Sequence, residues 1–159
     1  MKEYFKTDLR IVYRTIYFMA AMTFLLSGNI LFSQNIQTKP TRQSSLEAFS
    51  REDYEEAYKG FSELLGTYPK DPLYKYYSGV CMVKLNRNPE QALNLLMQAQ
   101  QGAAVVKTIP ADALFYLGRA QQMSGKFTDA ITSYNTFTEL SGKKIARGLG
   151  VPEYIQQCN

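Results

Sequence analysis

A chain of 159 residues has room for one ordinary domain, and 45% apolar with 20% charged residues is a globular balance. From Gln34 onwards there are 14 basic and 12 acidic side chains, a net +2 too small to argue for nucleic acid or an anionic membrane surface. Histidine is absent, which removes the commonest general base and metal ligand at neutral pH, and Cys81 and Cys158 have no zinc-ligand spacing.

In chain order, Lys2, Lys6, Arg10 and Arg14 form a basic leader, followed by an uncharged run from Thr15 to Phe32. The apolar core Ile16–Leu26 is broken by Ser27-Gly28-Asn29, and the small Ser33 precedes Gln34. That layout predicts a signal peptide over 1–33, cleaved before Gln34. The competing reading is an uncleaved anchor helix, because 18 uncharged residues reach the lower bound for crossing a bilayer. The break at Gly28-Asn29 favours the signal.

Residues 34–39 read as a polar, flexible leader, and helical signals then come in pairs. The first pair is Pro40–Ser50 with Tyr54–Thr67. Asp71-Pro72 supplies a cap and a first-turn proline for Leu73–Leu85, and Asn88-Pro89-Glu90 does the same for Gln91–Gln101. Gly102–Thr108 reads as a connection, and Pro110 opens a helix over Ala111–Met123. After the turn Ser124-Gly125-Lys126, a sixth helix runs from Phe127 to Leu140 and stops at Ser141-Gly142. Lys143–Gly150 reads as a basic linker. Pro152 opens a last helix, Glu153–Cys158, whose one-sided Val151, Tyr154, Ile155 and Cys158 suit a cap on the open end of a stack. No segment alternates as a strand does, so the expected class is all-α.

One spacing recurs in the second helix of each pair: Ala57-x3-Phe61-x2-Leu64, Ala92-x3-Leu96-x2-Ala99 and Ala130-x3-Tyr134-x2-Phe137, at intervals of 35 and 38 residues. A small residue with bulky apolar ones at i+4 and i+7 marks one helical face, and recurrence marks an array whose units bury that face by stacking. The units are 40–70, 71–109 and 110–142, together an array over 40–142, with 143–159 as linker and capping helix.

These pairs resemble the tetratricopeptide repeat, in which Trp-x2-Leu-Gly-x2-Tyr on a first helix faces Ala-x3-Phe on a second. The third unit matches best, with Leu114-x2-Leu117-Gly118-x2-Gln121 before Ala130-x3-Tyr134-x2-Phe137. The second substitutes Ser78-Gly79-x2-Met82, and the first helix of the first unit is a poor match around Ser44, Ser45 and Ala48. Tryptophan is absent, and four extra residues fall around Gly102–Thr108. The resemblance implies a right-handed superhelical stack that binds a protein or peptide along the groove lined by its first helices. Stepping from Gly79 and Gly118 places Tyr76, Val80, Val83, Lys84, Phe115, Arg119, Gln122 and Met123 in that groove; the alternative for Tyr76 and Phe115 is core, buried against the adjacent pair. Several Lys and Asn side chains clamp a peptide carboxylate in some members of the family; only Lys84 and Arg119 are available here.

Asp53-Tyr54-Glu55-Glu56-Ala57, Tyr77-Ser78-Gly79-Val80-Cys81 and Tyr154-Ile155-Gln156-Gln157-Cys158 also resemble the N-terminal repeat module of certain Gram-negative envelope proteins. Those proteins add a β-propeller and an outer-membrane-protein-A-like domain, and some serve type IX secretion. The resemblance implies an exported, periplasmic or outer-membrane-associated scaffold for another envelope protein. The small net charge, the missing histidine and the cysteine spacing point to no nucleic acid, small-molecule substrate, cofactor or metal, and no catalysis. The acidic run Glu52-Asp53-x-Glu55-Glu56 fits a helix start, where the dipole favours carboxylates without a ligand. Gly118 to Gly125-Lys126 has neither the spacing nor the preceding strand of a phosphate loop.

Overall fold

The computed structural model describes residues 39–106 and 109–159; the expected signal peptide and most of the polar leader lie outside the described residues. All described regular structure is helical: α1 (Arg42–Ser50), α2 (Tyr54–Thr67), α3 (Pro72–Lys84), α4 (Pro89–Val106), α5 (Ala113–Met123), α6 (Phe127–Ser141), α7 (Lys143–Gly148) and α8 (Val151–Gln156). Each helix packs against the next, so α1/α2, α3/α4 and α5/α6 form successive antiparallel-type pairs, and α3 also touches α5. Among the described residues no helix is long and apolar enough to cross a membrane.

The helix starts follow from local chemistry. Thr41 and Ser44 form a reciprocal capping box on α1. Asp53 Oδ1 accepts from the Glu56 amide at 3.2 Å, and Asp71 Oδ1 accepts from the Leu73 and Tyr74 amides at 2.8 and 3.2 Å. Pro72 sits in the first turn of α3, where its missing N–H costs nothing. Gly125, Gly142 and Gly150 hold positive φ at the turns before α6, α7 and α8.

Within each pair one glycine lets the helices approach. A Cβ on Gly79 would lie 2.7 Å from Leu96 Cγ, and one on Gly118 would lie 2.6 Å from Tyr134 Cε1. In the first pair the arrangement is reversed: Gly60, on the second helix, makes room for the buried Ser45 of the first. The core follows the stack in three clusters. Ala48, Ala57, Phe61, Tyr74 and Cys81 fill the first, and Tyr76, Val80, Leu93 and Leu96 anchor the central one. Phe115, Ala130, Tyr134, Phe137, Ala146 and Val151 form the third, joined by the half-buried Tyr154, Ile155 and Cys158. The last helix therefore covers the third pair.

Two segments differ from their sequence reading. The four extra residues lengthen α4 through Val106 instead of forming a connection at Gly102. Gly102 lies inside the helix, where a Cβ would meet Pro72 Cβ at 3.0 Å, so it serves close packing and not a turn. Lys143–Gly148, read as a linker, is helical, because Ala146 is buried against α6 and ties the segment down. Both cysteines are free thiols, Cys81 buried and Cys158 half-buried. Burial pushes the Cys81 thiol up to about 12.

Two glycine substitutions separate close approach from helix propensity. Overpacking against the rigid Tyr134 ring should make Gly118→Ala cost about 1–3 kcal/mol. Gly66, with open space around it, should gain up to about 1 kcal/mol as Ala. Urea denaturation of both variants checks this, and a shift of the same sign in both would contradict the packing argument.

Candidate functional site: a face built across the first helices

A row of rings connects α1, α3, α5 and α8. Phe49 meets Tyr77 edge-on at 4.8 Å between centroids, and Tyr77 meets Tyr76 at 5.0 Å. Tyr76 reaches Tyr116 at 6.5 Å, Tyr116 packs on Phe115 at 5.1 Å, and Phe115 contacts Tyr154 at 6.0 Å. Offset and edge-on ring pairs each contribute about 0.5–1.5 kcal/mol beyond their buried area. This seam joins consecutive units in a chain without tryptophan.

Tyr76 is the pin of the seam. Only 2% exposed, it donates its hydroxyl to Asp112 Oδ1 at 2.6 Å. Burial, followed by that hydrogen bond to a carboxylate, raises its pKa well above the usual phenol value. Asp112 stands where α5 needs an N-cap but makes no side-chain capping bond, because its carboxylate serves the preceding unit. Sequence reasoning had no signal for this bond across 36 residues.

The groove expected from the sequence divides in two. Tyr76, Val80, Val83 and Phe115 are buried core residues and present no face to a partner. Their half-buried neighbours Tyr77 and Tyr116 are the side chains on the surface of the seam. One residue is a rotation of about 100° on a helix; the expected face is displaced by that much at two of its positions.

Lys84 is exposed, as expected of a groove residue. Its ammonium lies 5.4 Å from the Tyr54 ring centroid and 5.8 Å from that of Tyr116, a two-sided cation–π seat. Partial desolvation acts to lower its pKa, but Tyr116 and Tyr54 beside it outweigh that and hold it above the ordinary lysine value. The cation is therefore oriented and fully charged at neutral pH.

Arg119 and Gln122 come together around α8. The Arg119 guanidinium lies 4.0 Å from the Tyr154 ring centroid, and its Nη1 donates to Gln122 Oε1 at 2.9 Å. The same Oε1 accepts from the Tyr134 hydroxyl at 2.9 Å, while Gln122 Nε2 donates to Gln157 Oε1 at 3.2 Å. The capping helix thus already engages these two. Met123 is half-buried and packs on the central core. Among the described residues, no cluster of His, Cys, Asp and Glu could hold a metal ion.

With this geometry in place, residues 112–141, which span α5 and α6, match the tetratricopeptide repeat family model. The match is to one repeat, the third helix pair of the stack. The match covers the unit whose Leu117-Gly118 and Ala130-x3-Tyr134 pattern is most complete, and such repeats are protein-interaction modules. A search of curated proteins gave no significant match.

Burial of Tyr134 makes a pH prediction. Burial, opposed by the neighbouring Arg119, pushes its phenol from 10.0 up to about 12. The folded state then prefers the neutral phenol, so the stabilisation is complete below pH 10 and is lost as pH rises from 10 to about 12. Thermal melts followed by circular dichroism should show a smaller alkaline loss in Tyr134→Phe than in the parent. Identical losses would contradict this assignment.

Proposed function

We propose that the protein is an exported, non-catalytic scaffold that holds another protein of the cell envelope along the face of its first helices. The observation that carries this reading is Lys84, an exposed cation seated between Tyr54 and Tyr116 on a seam running across three units. Aromatic side chains with a fixed cation are the composition of contact residues that hold partners, because rings supply area at low entropic cost. Tyr77, Lys84 and Tyr116 are the residues assigned to the contact. The absence of histidine from the sequence supports a binding role. Export rests on the basic leader, apolar core and small residue at Ser33.

A second reading, a membrane-anchored or outer-membrane-associated subunit of an envelope or secretion complex, is favoured by the 18-residue uncharged run from Thr15 to Phe32. Affinity capture from envelope extract with the full chain and with Lys84→Glu/Tyr116→Ala tests the first reading. These substitutions spare the buried Tyr76, so circular dichroism should report both proteins as folded. A partner retained by the parent and lost by the variant is expected; one held equally by both would overturn the assigned face. Intact mass of the exported chain should show loss of about 33 residues, whereas a full-length mass would favour the anchored subunit.

A further inference from the structure

The end of α6 and the short α7 form a second surface, which meets the row of rings only at Phe137, 5.8 Å from Phe115, and at Asp112. Leu140, Ile145 and Leu149 are 75%, 55% and 39% exposed, an unusual concentration of bare aliphatic side chains over ten residues. They border a cavity of about 870 Å³ whose wall continues onto Phe137, Pro110 and Asp112, where α6 ends and α5 is about to begin; the Asp112 carboxylate there is already engaged by the Tyr76 hydroxyl. On the other side of α7 a second cavity, about 390 Å³, has Val151 and Ile155 in its lining and Lys143 and Arg147 among the residues around it.

Charge complementarity identifies the occupant. Residues 140–150 carry Lys143, Lys144 and Arg147 and no acidic side chain. All three cations are exposed, and the one ion pair among the described residues, Arg87 with Glu55, lies elsewhere. A helix of six residues with unpaired cations between two apolar hollows is complementary to apolar side chains bracketed by carboxylates. Concavity favours side chains that enter the hollows over a lipid surface, which an amphipathic helix meets with a convex apolar face.

The geometry points to a second docking surface on α6–α7 that takes an acidic amphipathic helical segment of a partner protein. Its apolar side chains enter the hollow beside Leu140, Ile145 and Leu149, and its carboxylates meet Lys143, Lys144 and Arg147. This goes beyond the first-helix face and does not depend on it: a chain with both surfaces can hold two segments at once.

The test is selection of a displayed random peptide library, each member about four helical turns long, on the full chain. Winning peptides are then measured by fluorescence anisotropy on three folded variants. The expected winners carry Asp or Glu beside apolar residues at i, i+3 and i+4. They should bind Leu140→Ser/Ile145→Ser and Lys143→Glu/Lys144→Glu/Arg147→Glu about tenfold more weakly, the loss of one good contact residue. They should bind Lys84→Glu/Tyr116→Ala undiminished, which keeps failure of this surface distinguishable from failure of the first-helix face. No enrichment, winners without acidic residues, or winners indifferent to both α6–α7 variants would overturn the proposal. Flotation with phosphatidylcholine–phosphatidylglycerol vesicles that is lost on charge reversal would assign the surface to a membrane instead. Concentration-dependent dimerisation lost in Leu140→Ser/Ile145→Ser would assign it to a second copy.

Discussion

Everything in this fold depends on how closely two helices of a pair can approach. Residues at 79 and 118 have no Cβ, so Leu96 and Tyr134 drop onto the backbone of the facing helix. That contact fixes the register of α3 on α4 and of α5 on α6. Register in turn decides which side chains turn inward and which are left on the surface. In the first pair the same vacancy is made by Gly60 opposite Ser45, so the constraint is kept while the residue that meets it changes helix.

Pairs fixed in this way still have to be joined to one another. With no tryptophan available, the joint is a row of tyrosines and phenylalanines, pinned by the Tyr76–Asp112 hydrogen bond. A buried phenol needs an acceptor, since an unpaired hydroxyl costs about 1–3 kcal/mol. Asp112 provides it and gives up capping α5. The inner edges of the rings hold the units together, and Tyr77 and Tyr116 carry the outer edges. Lys84 is presented because rings from two units flank it.

Much of this was legible in the sequence because close helix packing leaves a local trace. Gly118, Ala130 and Tyr134 are small and large residues at fixed separations, and their spacing alone indicates a facing pair. The cap at Asp71 was equally plain, since capping is decided within three residues. What escaped was set by tertiary packing. Gly60 was overlooked because it lies on the helix opposite to its usual place. Gly102 was read as a helix stop, although it is a helical glycine pressed against Pro72. The face was displaced from Tyr77 and Tyr116 to Tyr76 and Phe115 because only packing decides which of two adjacent aromatics points inward. Nothing local signals that α8 lies over Arg119 and Gln122.

The central claim, that close approach at one glycine per pair governs the stack, is tested most directly by a double-mutant cycle on Gly79 and Leu96. With Leu96 present, Gly79→Ala should be destabilising by about 1–3 kcal/mol, because the new methyl meets Leu96 Cγ. With Leu96→Ala as background, the side-chain obstruction is gone and only the Ala92 carbonyl oxygen, 3.3 Å from the new methyl, stays close, so the helix preference of alanine should make Gly79→Ala neutral or stabilising by up to about 1 kcal/mol. That reversal of sign is what the account predicts. An equal cost of Gly79→Ala in both backgrounds would contradict it.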